Sequence, residues 1–96
     1  MSARLAIVVV NYGSSALLEE NLAPTAASVP AALVVVVDNH ATPDEADRVT
    51  ALAADNGWTA LLRARNEGFG AAVDVGARRA FADGADRVLV LNPDAT

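Results

Sequence analysis

The sequence predicts an α/β fold: one parallel four-stranded sheet, strands in the order 3-2-1-4, with helices between successive strands. Three observations carry this. Short unbroken apolar runs rich in β-branched residues alternate with segments whose apolar residues recur at spacings of three and four. The runs are apolar at successive positions, as in strands covered on both faces. Glycine, proline, asparagine and aspartate punctuate the boundaries. Strand and helix in alternation lead to parallel pairing through right-handed crossovers.

The first run, Leu5 to Val10, is the first strand, and Asn11 to Ser15 is turn chemistry. Ser14 or Ser15 caps a helix with Leu17, Leu18 and Leu22 on its inner face, and Pro24 is expected to weaken or kink its end. Ala31 to Val37 is the second strand, closed by the polar loop Asp38-Asn39-His40-Ala41. Thr42-Pro43-Asp44-Glu45 combines a capping hydroxyl, a proline at the first helical position and a glutamate three residues after the cap. Ala46, Val49, Leu52 and Ala53 mark that helix's buried stripe, and Asn56-Gly57 stops it. Trp58 to Leu62 is the third strand, followed by a loop from Arg63 to Gly68. Phe69, Ala72, Val73, Gly76, Ala77, Ala80 and Phe81 then give the clearest helical period in the chain, ended by Asp83-Gly84. Arg87 to Leu91 is the fourth strand, with Asn92-Pro93-Asp94-Ala95-Thr96 after it.

Ninety-six residues, 53% of them apolar and 20% charged, are enough for one domain and one core, and too apolar for a disordered tail. Seven basic residues, all arginine, against 12 acidic ones give a net charge of -5. That balance argues against nucleic acid as a partner. The absence of cysteine excludes a disulfide framework, a thiolate metal site and a cysteine nucleophile, and leaves the cytosol as the default compartment. The longest apolar runs are far short of the roughly 20 residues of a membrane-spanning helix, so no transmembrane segment is expected. The apolar run behind Arg4 ends at Asn11-Tyr12-Gly13 without a cleavage pattern, and reads as a strand rather than a signal peptide.

Ligands of open parallel sheets bind outside the carboxyl ends of the strands. Polar residues collect there: Asn11-Tyr12-Gly13, Asp38-Asn39, Arg63-Ala64-Arg65-Asn66 and Asn92-Pro93-Asp94. With the first and fourth strands adjacent, Tyr12, Asp38 and Asp94 could face one ligand. Neither the Gly-x-Gly-x-x-Gly fingerprint nor a phosphate loop with its lysine follows the first strand. Gly68-Phe69-Gly70 opens the last helix, whose N-terminus near Arg63 and Arg65 could attract a diphosphate. Each residue also has a plainer role. Asp38 could cap a turn, Tyr12 could pack at the sheet edge, Asp94 could be a loop acid, and His40 could be an exposed loop residue. Arg63 and Arg65 alternate at a strand end, so at most one faces a ligand. Asp74, Arg78 and Arg79 belong to a solvated helix face, while Trp58, Phe69 and Phe81 read as core.

Three motifs in order, Val8-Val9-Val10-Asn11-Tyr12, then Val36-Val37-Asp38-Asn39, then Asn66-Glu67-Gly68-Phe69-Gly70-Ala71-Ala72 leading to Leu91-Asn92-Pro93-Asp94, resemble those of family 2 glycosyltransferases, enzymes of the GT-A fold that use sugar nucleotides. The resemblance spans the first strand to the last residue, and its third motif looks most like the rhamnosyltransferase branch, which uses a deoxythymidine-diphosphate sugar. It implies a Rossmann-like N-terminal half of a GT-A fold. The backbone of Val10, Asn11 and Tyr12 would line the base pocket, and Asp38, beside Asn39, would bond the pyrimidine or its ribose. Asn66 and Gly68 would border the donor. Asn92-Pro93-Asp94 stands at the Asp-x-Asp position, with Asp94 on a Mg²⁺ or Mn²⁺ ion that bridges the diphosphate, and Asn92 offering a neutral oxygen. Ala41 stands where many relatives have serine, and Asp74 where asparagine is usual.

The function so implied is inverting transfer of a sugar from a nucleoside diphosphate to a hydroxyl on a glycan or lipid-linked acceptor, as in cell-wall or polysaccharide biosynthesis. A lipid-linked acceptor would bring a cytoplasmic protein to the inner face of the membrane. The family's base and acceptor site follow the metal motif, so no catalytic residue is expected within 1–96. These residues are read as a donor-binding part, truncated at its C-terminal end and inactive alone, that self-associates through an uncovered sheet face. The alternative is a non-catalytic α/β module that binds a nucleotide or a protein. A nucleotidyltransferase is disfavoured because no glycine- and lysine-rich loop follows the first strand.

Overall fold

The structure, a computed structural model, describes residues 4–11, 16, 18–29, 31–39, 42–63 and 68–91. Four strands, β1 (Leu5–Asn11), β2 (Leu33–Asn39), β3 (Thr59–Arg63) and β4 (Arg87–Leu91), form one all-parallel sheet in the order β3-β2-β1-β4. Leu18–Leu22 is a π-helical turn continued by α1 (Ala23–Ala27), while α2 (Pro43–Asn56) and α3 (Phe69–Ala82) are helices of 14 residues each. The fold is thus α/β with a Rossmann-like strand order, as the alternation of patterns predicts.

The central pair β1 and β2 supplies the core. Successive side chains of a strand point to opposite faces, and the two faces bury different sets. Val8, Val10, Val35 and Val37 pack with Ala72 and Ala80 of α3 on one face. Ile7, Val9, Val34 and Val36 pack with Leu18, Leu22 and Val49 on the other. The α3 face is made of small residues because the helix lies close to the sheet. A Cβ on Gly76 would stand 2.6 Å from Val8 Cγ1 and 2.9 Å from Val37 Cγ2.

Local signals hold where they are chemical. Thr42 Oγ1 accepts from the Glu45 backbone N–H at 3.3 Å, and Gly57 ends α2 at φ 72°, a left-handed conformation that favours glycine. Pro24 sits in the first turn of α1, directly after the π-helical turn gives way to it. Ser14, Ser15 and Leu17 lie outside the described residues.

Four expectations need correction. β2 starts at Leu33 rather than Ala31, since Ala31 and Ala32 form the turn that enters it. It then runs on through Asp38 and Asn39, which are strand rather than loop because both keep pairing, with Asn11 and Arg63 respectively. β3 is shifted one residue onward and includes Arg63. Phe69 and Phe81 are 45% and 53% exposed, not core, whereas Trp58 is half-buried against the second cluster. Phe81 lies about 100° round the helix from the buried Ala80, and Phe69 is in its first turn.

Candidate functional site

The polar residues at the carboxyl ends of β1 and β2 are buried, and the register explains how. Asn11 pairs with Asp38 across the parallel ladder, so their side chains stand together on the face covered by α2 and the π-helical turn. Asn11 Nδ2 donates to Asp38 Oδ1 at 3.4 Å, a long hydrogen bond between two groups that are 0% and 2% exposed. One residue on, Asn39 points to the opposite face. Its Nδ2 donates to the Gly68 carbonyl at 3.4 Å, which ties the end of β2 to the residue preceding α3. Arg63 pairs with Asn39 in the β2–β3 ladder and is half-buried.

Of the residues singled out in the sequence, the sheet therefore places Asn11 and Asp38 together on one face, and Asn39, its ladder partner Arg63 and Gly68 toward the other, where Val10 is buried. Asp38 and Asn39, expected in a polar loop, are instead 2% and 1% exposed. A carboxylate in such a place is costly unless other polar groups solvate it. Its neighbours do part of this, since Asn11 supplies an N–H, and the face-to-face alternation sends Asn39 elsewhere. The expected partners Tyr12, Asn66, Asn92 and Asp94, with His40, Ala41 and Arg65, lie outside the described residues.

What sequence reasoning missed is the Asn39–Gly68 link, which joins two motifs 29 residues apart. The signal was the parallel alternation itself: if Asp38 shares a face with Val36, Asn39 shares one with Val37 and hence with α3.

The described residues contain no group of three or more His, Cys, Asp or Glu that could hold a metal ion. The oxygen donors at this edge are one carboxylate and two amides on opposite faces of the sheet, and the expected ligand Asp94 is not among the described residues. Asp74, Arg78 and Arg79 are exposed and engaged in helical ion pairs, Arg78 with Asp74 at 3.0 Å and Arg79 with Asp83 at 2.9 Å, as their solvated face predicts. No helix among the described residues is long and apolar enough to cross a membrane. No protein-family model and no curated protein matches the chain.

Proposed function

We propose that this chain binds the donor of an inverting glycosyltransferase related to family 2 of the GT-A fold, a nucleoside-diphosphate sugar whose pyrimidine or ribose meets Asp38. The observation that carries the reading is the buried Asn11–Asp38 pair at the carboxyl edge of a parallel sheet. Polar groups at that edge, beside the place where the crossover direction reverses between β1 and β4, are where open α/β sheets take their ligands. A carboxylate held there accepts from a ring N–H or a sugar hydroxyl, and Asn11 orients it. The ordered motifs around Asn11, Asp38, Gly68 and Asp94 add the resemblance.

The chemistry proposed is transfer of a sugar, with a deoxythymidine-diphosphate rhamnose type of donor as the finer choice, to a glycan or lipid-linked hydroxyl. A divalent Mg²⁺ or Mn²⁺ ion on Asp94 would stabilise the leaving diphosphate. The resemblance puts the base and acceptor site after Asp94, so the reading concerns donor binding alone.

Calorimetric titration with deoxythymidine diphosphate and Mn²⁺ tests it. Binding should weaken at least tenfold in Asp38→Asn and lose its Mn²⁺ dependence in Asp94→Ala; unchanged affinity in Asp38→Asn overturns the assignment. A second reading, a protein-binding module, is favoured by the exposed Leu89 and Val90 of β4. Concentration-dependent association with no nucleotide binding would select it.

A further inference from the structure

The opposite, amino-terminal end of the sheet carries a feature that donor binding does not use. A cavity of about 380 Å³ opens where β1 and β4 begin, lined by the apolar Leu5, Val29, Ala31 and Ala32 and flanked by Arg4 and Arg87. Leu5 and Arg87 are ladder partners, so Arg87 rises on the same face as the apolar floor. Next to it, and sharing Ala32 as a common wall, lies a second hollow of about 280 Å³ walled by alanines of α1, Val34 and the half-buried Trp58, with Asn56 and Gly57 on its polar side. Basic groups thus flank the apolar hollow, and an aromatic ring lines its neighbour on the far side of Ala32.

The charge distribution makes this unusual for the molecule. The chain is acidic by five charges, and Arg48, Arg78 and Arg79 are spent on ion pairs within their own helices. Arg87 makes a longer contact with its sequence neighbour Asp86, and Arg4 meets the same acid through its backbone. Asp86 Oδ1 accepts from the Arg4 backbone N–H at 2.9 Å and lies 3.7 Å from Arg87 Nε. Arg4 and Arg87 both line the cavity, so two guanidinium-bearing side chains border its apolar floor. A guanidinium fork matches a carboxylate, and pockets of this size take ligands with one or two placed polar contacts on apolar walls.

The geometry points to a second binding site, at the amino end of the sheet, for a short aliphatic carboxylate: its head on Arg87 and Arg4, its tail over Val29 and past Ala32 toward Trp58. The site is independent of the donor site, which lies at the other ends of the same strands. It would let a small amphiphilic acid occupy the protein without displacing a nucleotide.

Trp58 is the chain's only tryptophan and reports the event. Titration with octanoate should change its emission saturably, with octanol at least tenfold weaker. Arg87→Gln should weaken octanoate at least tenfold. Val29→Asp, at an exposed position, should abolish binding by putting a charge where the aliphatic tail lies. Circular dichroism melts of both variants should match the parent, since neither side chain is buried. Absence of a saturable change in the parent, or equal octanoate affinity in Arg87→Gln, overturns the site, whatever nucleotide titrations show.

Discussion

Asp38 and Asn11 form a pair whose two members respond differently to substitution. Truncation of Asn11 to Ala removes the amide that donates to a carboxylate 2% exposed. Leaving a buried charge short of a hydrogen bond costs about 1–3 kcal/mol, so we expect Asn11→Ala to lose that much stability in urea unfolding, with m unchanged. Asn11→Asp sets two carboxylates side by side in the ladder, where both cannot remain ionised cheaply. The folded variant then binds a proton more readily than its unfolded chain, so its stability should fall as pH rises through the carboxylate range and recover on acidification. Melts of variant and parent across pH 4 to 7 check the sign. Asp38 was legible in the sequence as the residue to watch, because it ends an apolar run. Its burial was not, because polar residues after such a run read as loop, and only pairing with Asn11 and β3 shows that the ladder continues through them.

Among the elements, those with chemical punctuation were read well and those shaped by contact were not. α2 begins and ends where its cap and its glycine put it. Replacing Thr42 by Ala removes the bond to the Glu45 N–H and should cost about 1 kcal/mol, read as a lowered melting temperature. α3 shows the other case. Its period marks Phe69 and Phe81 as inward, yet Ala72, Gly76 and Ala80 face the sheet, because periodicity locates an apolar stripe but not how near the helix lies. Gly76→Ala gains about 1 kcal/mol of helix propensity, but its methyl group meets Val8 and Val37 at distances no packed carbon tolerates. We expect a net loss of about 1–3 kcal/mol from overpacking. Adding Val8→Ala removes the closest of those atoms, so a double-mutant cycle should return a favourable coupling between positions 8 and 76. The π-helical turn at Leu18–Leu22 had no sequence signal, since apolar spacing does not separate it from an ordinary helix.

At the scale of the molecule, the two outer strands differ from the inner pair. β4 is an edge strand with Leu89 and Val90 45% and 37% exposed, and β3, the other edge, has Leu62 at 53%. The backbone edge of β4 carries Val88 to Leu91 without a charge or a proline to discourage pairing. Light scattering over a concentration series should therefore show self-association, and Leu89→Lys should suppress it without lowering the melting temperature; a monodisperse parent would refute this. The parallel order also bears on kinetics. β1 lies between β2, whose paired residues are 27 positions away, and β4, whose paired residues are 82 positions away. By the logarithmic law of loop closure, the second pairing carries only about 1 kcal/mol more entropy than the first. It must nevertheless wait for the rest of the chain to be made. Until then the most apolar strand of the protein has one backbone edge open, at the seam where β4 will join. During synthesis, the hazard for this molecule is thus a matter of timing: a partner that shields the outer edge of β1 would help folding, yet would have to leave before β4 can dock.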